Sequence, residues 1–394
     1  MEITEINAYP LRDGLWNPWC VITVHTDEGI RGVGEAGGLW ANTDLDAKRT
    51  HVEKFEEWFV GDDPRRIEAL RQKSQETPWG LSRLNQALFS GMEMACWDIV
   101  GKYRDIPVHE ALGGKMRDEL RAYANGWYDS LETPEEWAEG AAEVVDRGYT
   151  AMKFDPIETA YRDLSNPDLE LAVDRIGAIR EAVGPGVDLL IEGHGRLTPG
   201  EAIRFGKRIE EHNPSWYEAP VQPHQGPKAF REVREALAIP ISDDLASIES
   251  KFNAFDFISE RAIDIIQPDP GNVGGLREVQ YIAQMADAAS IFVAPHAAAG
   301  PVSMTAAVHL DAVVPNFKIQ EGFDEFTRPD WVAEVIDDPI TIEDGVIEVP
   351  DEPGLGIEFD EEAAREHDTN PMPDHNFMAP DFKDTYGSQT LRED

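Results

Sequence analysis

Two cysteines in 394 residues, Cys20 and Cys96, are too few for a disulfide framework and too far apart in the chain for a metal clip. A reducing compartment, the cytoplasm, is therefore expected. No run approaches the about 18 apolar residues that would cross a membrane, and mean hydropathy is −0.42. The opening residues, MEITEINAYPLRDG, hold no basic region followed by an apolar one, so no signal peptide is expected. Basic residues are also scarce: 35 Lys and Arg stand against 76 Asp and Glu, a formal charge of −41. That balance excludes nucleic acid and anionic membrane as partners, since both need a basic face. The acidic residues are spread along the chain, with only short clusters such as Glu56–Glu57 and Glu135–Glu136. An acidic surface all round is tolerable in molar salt, where the Debye length falls to about 3 Å, so a halophilic habitat is expected.

What the chain does have is a globular composition, with 41% apolar residues, 10 Trp and 16 Phe. Residues 1–120 read as an α+β unit. Strands are predicted at 2–11 and 19–26, and Leu88, Met92, Ala95 and Ile99 form the stripe of an amphipathic helix. From 121 to 329 the pattern becomes periodic. Strand-like runs fall at 121–125, 151–154, 188–192, 215–218, 239–242, 263–267, 290–294 and 317–320. Helix-like segments, including 134–147, 169–183, 199–212 and 276–288, fill most of the intervals. Eight βα repeats predict a closed parallel barrel; an open doubly wound sheet is the alternative, but no glycine-rich dinucleotide fingerprint follows any strand. Residues 330–394 leave the barrel pattern. Short strand-like pieces at 340–342, 346–349 and 357–359 are expected to fold back onto the N-terminal unit, with a loose tail from about 366.

In such a barrel the chemistry sits at the carboxyl ends of the strands. Those positions carry Lys153 and Asp155, Glu192 with His194 and Arg196, Glu218, Asp243-Asp244, Asp269, His296 and Glu321. Glu192, Glu218 and Asp244 are 26 and 26 residues apart. Three carboxylates from adjacent strands suit a hard divalent cation such as Mg²⁺. Asp243 competes with Asp244 for the third place, and the even spacing favours Asp244. Asp269 and His296 fall on neighbouring strands, where a carboxylate would orient an imidazole and raise its basicity. His194 is a second acid or base, expected on the same face as Glu192 if the strand continues. Among the remaining histidines only His224, in a loop after the fourth strand, stays open as a site residue. Trp16 and Trp19 either close over a substrate or belong to the core.

At these residues the sequence resembles the enolase superfamily, in its mandelate racemase/muconate lactonizing group. The resemblance is carried by Thr26-Asp27-Glu28-Gly29-Ile30, Gly34-Glu35-Ala36 and Trp97-Asp98-Ile99-Val100-Gly101-Lys102 with Leu112-Gly113-Gly114. It continues in Gln267-Pro268-Asp269 with Gly274-Gly275, Ala294-Pro295-His296, Pro315-Asn316 and Pro353-Gly354-Leu355-Gly356. It implies a modified (β/α)7β barrel with an α+β capping domain, one Mg²⁺ per subunit, a homo-oligomer, and removal of the proton next to a substrate carboxylate by a Lys or His base. The His-Gly-Arg at 194–196 is similar to the acid-sugar dehydratases of galactonate type. There, the residue matching His194 is the acid on the departing hydroxyl and the pair matching Asp269–His296 moves the C2 proton.

The resemblance thus implies a hydro-lyase turning an aldonic acid into a 2-keto-3-deoxy acid. Lys153, Asp155 and Arg196 would contact the substrate and Glu321 would hydrogen-bond its carboxylate end. Racemases of the group carry Lys-x-Lys on the second strand, whereas here the second lysine position is Asp155. Other departures are Glu192 for an Asp ligand, Glu218-Ala219-Pro220 for Glu-Glu-Pro, and Ser242-Asp243-Asp244 for Gly-Glu. An epimerase or cycloisomerase of the same group, and a silent sugar-acid-binding relative, are the alternatives.

Overall fold

The computed structural model describes residues 1–11, 19–37, 45–76, 82–157, 160–244, 248–323, 326, 328–337 and 340–367. Its first layer is an antiparallel sheet of β1 (Ile3–Leu11), β2 (Trp19–Thr26) and β3 (Arg31–Ala36), in that order. Against it pack α1 (Leu45–Phe59), α2 (Ile67–Gln75) and the long α3 (Arg83–Arg104). The stripe Leu88, Met92, Ala95 and Ile99 is fully buried in this interface, joined by Ile6, Ile22, Phe55 and Phe59. β3 lies so close to α3 that a Cβ on Gly34 would stand 2.0 Å from the carbonyl of Gly91. Close backbone approach explains why a sequence as glycine-rich as Arg31-Gly-Val-Gly is a strand.

A short α4 (Val108–Ala111) leads into the barrel. Its strands are β4 (Glu119–Ala124), β5 (Ala151–Phe154), β6 (Asp188–Glu192), β7 (Trp216–Glu218), β8 (Ile241–Asp243), β9 (Ile265–Ile266), β10 (Phe292–Val293) and β11 (Gln320–Gly322). Neighbours pair in parallel in that order from β4 to β10, and β11 pairs with β4. The ring closes through residues just before β11: Val293 N–H reaches Asn316 O at 2.9 Å and Lys318 N–H reaches Val293 O at 2.8 Å. Seven helices alternate with the eight strands: α5 (Pro134–Asp146), α6 (Asn166–Val183), α7 (Pro199–Ile209), α8 (Gly226–Ala236), α9 (Lys251–Ser259), α10 (Leu276–Ala288) and α11 (Pro301–Asp311). The fold is a (β/α)7β barrel with an α+β cap. The local reason is plain at α5, where Pro134 occupies the first turn and Thr133 and Glu136 form a reciprocal capping box.

The C-terminal return divides between the two layers. Residues 346–349 were expected on the N-terminal unit, but Val346–Glu348 pairs antiparallel with Glu119–Arg121 at the amino end of β4. Residues 340–342 form no strand; Ile336–Asp337 does, and pairs with Glu358–Phe359. The helix Glu361–Glu366 reaches the first sheet, where Tyr9 Oη donates to Glu361 at 2.7 Å. Residues 368–394 of the predicted tail lie outside the described residues.

Buried carboxylates of the cap hold the amino ends of two barrel helices. Glu35 accepts from the N–H groups of Gly300 and Ser303 at the start of α11, at 2.6 and 3.0 Å. Glu93 accepts from Leu276 and Arg277 at the start of α10, at 2.8 and 3.0 Å. Unpaired helical N–H groups and the positive helix end favour an anion there. Burial still pushes Glu93 up to about 7 despite those bonds. No helix of the described residues is long and apolar enough to cross a membrane.

Candidate active site

Strand alternation builds the site. Tyr123, Ala151, Leu190, Trp216, Ile265, Ala294 and Ile319 form one buried cluster that fills the barrel's interior. Two residues further along, on the same inward face, come Asn125, Lys153, Glu192, Glu218, His296 and Glu321. The apolar plug is thus the floor on which the polar groups stand. Register extends the rule to β8. Glu218 pairs with Ser242 and Ser242 with Ile265, so Ser242 points inward and Asp244 follows it two residues on, while Asp243 takes the other face.

Lys153 is the hub. Its ammonium lies 2.8 Å from Glu218 Oε1, 3.0 Å from Glu321 Oε1 and 3.6 Å from Glu192 Oε2. Burial disfavours its charge, but Glu218 and Glu321 outweigh that and keep it protonated. Glu218 Oε2 also accepts from the Trp216 indole at 3.0 Å. Burial, then Glu192, raises the Glu218 carboxyl well above its usual range, and Asp244 adds to the effect. Glu192 is raised too, by burial and by Asp244, against the opposing pull of Lys153. Asp244 is the strand-end Asp of β8 whose charge these two carboxylates feel.

This cluster bears on the cation implied by the resemblance. Burial and neighbouring negative charge raise Glu192 and Glu218 together, and Asp244 adds a third buried carboxylate beside them. Their donors are all oxygen, the choice of a hard divalent ion. By charge and donor type Glu192, Glu218 and Asp244 fit Mg²⁺. They are not gathered into a ready-made cage: among the described residues no three carboxylate, thiol or imidazole groups stand at metal-holding spacing.

On the opposite wall, His296 Nδ1 lies 2.7 Å from Asp269 Oδ2, and Asp269 Oδ1 accepts from Gly271 N–H at 2.7 Å. Burial pulls the imidazole pKa down, but Glu321, Asp269 and Asp244 outweigh it and raise His296 to about 9. Glu321 is fully committed. It accepts from Asn125 Nδ2 and Ala297 N–H, both at 2.8 Å, and from Lys153. Burial would raise it, yet Lys153 and His296 hold it at about 2. An ionised carboxylate only accepts hydrogen bonds, so the expected bond from Glu321 to a substrate carboxylate does not suit its state.

The Asp155 corner also differs from expectation. β6 stops at Glu192, and His194 turns into the left-handed region at φ 47°, followed by Gly195 at φ 62°. His194 therefore does not continue the strand face. Its N–H bonds back to Glu192 Oε1 at 2.5 Å, and its Nδ1 lies 2.6 Å from Asp155 Oδ2. Arg196 binds that same oxygen. Burial would raise Asp155, but Arg196 and His194 bring it to about 2. Trp19 is 3% exposed, and its indole packs where a Cβ on Gly300 would be 2.5 Å away, so it belongs to the core. Trp16 lies outside the described residues, and His224 is exposed in a short 3-10 turn. Asn125 was missed by reading the sequence, although it ends the first barrel strand's run and obeys the same two-residue rule as the others.

Comparison with known proteins gives concordant matches. Residues 136–363 match the family described as enolase C-terminal domain-like, and residues 16–113 match the mandelate racemase / muconate lactonizing enzyme N-terminal domain. The chain is 35% identical over 315 residues to a D-gluconate dehydratase from Thermoproteus tenax, covering 79% of this chain and 63% of that protein. It is 33% identical over 367 residues to a D-gluconate/D-galactonate dehydratase from Picrophilus torridus, covering 92% and 91%. Among solved structures, a mandelate racemase/muconate lactonizing enzyme from Jannaschia sp. CCS1 superposes with a TM-score of 0.86 at 32% identity, covering 95% and 99%.

Proposed function

Because this chain belongs to the mandelate racemase/muconate lactonizing branch of the enolase superfamily and is a hydro-lyase related to the galactonate-type acid-sugar dehydratases, we propose that it dehydrates an aldonic acid to a 2-keto-3-deoxy acid with Mg²⁺. The observation that carries this reading is the buried Asp269–His296 pair facing the carboxylate cluster across one barrel mouth. The proton next to a carboxylate is weakly acidic, so its removal needs both a base and a stabiliser of the resulting charge. Glu192, Glu218 and Asp244 would hold Mg²⁺, which when bound supplies several kcal/mol of that stabilisation. His296, oriented by Asp269, takes the C2 proton in its neutral form, which a bound cation nearby would favour. His194 gives a proton to the 3-hydroxyl as the C3–O bond breaks, so that water leaves and the C2=C3 enol relaxes to the keto acid. Lys153 keeps a positive charge beside the substrate's carboxylate end, held there by Glu218 and Glu321.

The same reading includes a homo-oligomer in the cytoplasm of a halophile. Supporting it are the exposed pair Phe252 and Phe255 on α9, at 56% and 54%, on a chain of charge −41, and two free buried cysteines. The test is a panel of five- and six-carbon aldonates incubated with Mg²⁺ in molar salt. Formation of a 2-keto acid is expected from at least one. Inversion at C2 without keto acid would make the protein an epimerase, and no reaction with any of them would sink the dehydratase reading.

A further inference from the structure

We infer that Asp155 is a positioning residue for His194, so that this chain carries a second Asp–His pair across the barrel mouth from Asp269–His296. The inference rests on the dehydratase reading for what His194 does, and on the contacts and charge of Asp155 for how it is held. Asp155 is 4% exposed and ionised, and an ionised carboxylate only accepts. Nδ1 of His194, 2.6 Å away, is therefore the donor, and Nε2 is the nitrogen that would pass a proton to a substrate. The carboxylate is itself fixed on three sides. Oδ1 accepts from Ile157 N–H at 3.1 Å, while Oδ2 takes both His194 and Arg196. Arg196 is tied to its own turn by Gly193 O at 3.3 Å.

The backbone sets the direction of this anchoring. Two successive left-handed residues, His194 and Gly195, swing the imidazole out of the β6 strand line. The side chain remains 29% exposed. Asp155 holds its Nδ1 edge from the next strand. It also accounts for the residue type at 155. A lysine there would repel Arg196 and offer no acceptor to Nδ1; a carboxylate turns that strand end from a second base into the support of an acid. Substrate contact by Asp155, expected from its strand-end position, is replaced by contact with His194 and Arg196.

Two measurements test the assignment. In wild-type protein labelled with ¹⁵N-histidine, the His194 resonance, identified by its loss in His194→Gln, should show a proton on Nδ1 in a strong hydrogen bond. An unprotonated Nδ1 would overturn the geometry whatever the enzyme does. The second uses Asp155→Asn with D-gluconate or D-galactonate, whichever wild type dehydrates, and the corresponding 3-deoxy-3-fluoro acid. Loss of a well-placed acid should lower dehydration by about 10²- to 10⁴-fold and leave exchange of the C2 hydrogen with deuterated solvent within about threefold. Fluoride departs without needing a proton, so elimination from the fluoro acid should stay within about tenfold of wild type. Equal loss of exchange, dehydration and fluoride release would mean that Asp155 binds substrate, and unchanged dehydration would mean that it positions nothing. If wild type dehydrates neither acid, the functional reading fails while the nitrogen resonance still decides the geometry.

Discussion

The two Asp–His pairs have almost the same separation, 2.7 Å for Asp269–His296 and 2.6 Å for Asp155–His194, and opposite surroundings. His296 is 7% exposed at its side chain, and its neighbours Glu321 and Asp244 add negative charge beyond Asp269. His194 is 29% exposed and shares its carboxylate with a guanidinium. A single contact distance therefore says little about a dyad's chemistry. What the rest of the shell does decides it: carboxylates around one imidazole make it strongly basic, whereas the other shares its carboxylate with Arg196.

Removing each imidazole should separate the pairs most sharply. His296→Asn should lower both C2–hydrogen exchange and dehydration by about 10⁴-fold, near the upper end for a lost base. His194→Asn should lower dehydration by about 10²-fold or more and keep exchange, provided the abstracted proton reaches solvent before it returns. Proton NMR in deuterated buffer reads both, and parallel losses in the two variants would erase the distinction.

The next largest effect is on stability. The folded pKa of His296, about 9, lies above the ordinary imidazole value of 6.5, so the fold favours its protonated form. Its contribution is present in full below pH 6.5 and is lost as pH rises through about 9. For metal-free protein that loss is roughly 3 kcal/mol. Chemical denaturation between pH 6.5 and 9.5 should show it, with a flatter profile in His296→Asn. An equal slope in the variant would assign the effect elsewhere.

A smaller effect should come from the floor of the carboxylate cluster. Trp216→Phe removes the indole donor to Glu218 and little volume, and should weaken Mg²⁺ binding by about 10-fold. Calorimetry on the resting protein measures it, and unchanged affinity would argue against Glu218 as a ligand. Salt should have the gentlest action per site and the broadest reach. The thermal midpoint should rise as NaCl increases from about 0.1 M towards molar, as surface repulsion is screened over about 3 Å. A flat midpoint would count against the halophilic reading.

Most barrel strands were legible because each buried strand is a short apolar run ending in a polar residue. Residues 151–154 and 188–192 coincide with β5 and β6. The seventh and eighth runs were less well placed. β10 keeps only Phe292–Val293 as strand, and β11 runs past 320 to Gly322, because Phe317 closes the ring against β10 before the chain turns to β4. β3 was visible only through the family resemblance, since its glycines are dictated by the approach of α3 and not by strand propensity. Within the site, spacing and strand-end position singled out the carboxylates and both histidines as candidates. Neither could find what holds them, because contacts such as Asp155–His194 and Asn125–Glu321 join residues 39 and 196 apart in sequence. The choice between Asp243 and Asp244 also needed register, since one residue reverses the face.

Glu35 and Glu93 carry a lesson for anyone who would exchange parts of this enzyme for those of another. α10 and α11 follow the strands that deliver Asp269 and His296, and both begin on carboxylates lent by the cap. A foreign N-terminal layer lacking either acid would leave bare N–H groups beneath the wall that carries Asp269 and His296. Chimaeras meant to retune substrate choice should therefore inherit these two glutamates, or the graft will disturb the Asp269–His296 pair it was meant to leave alone.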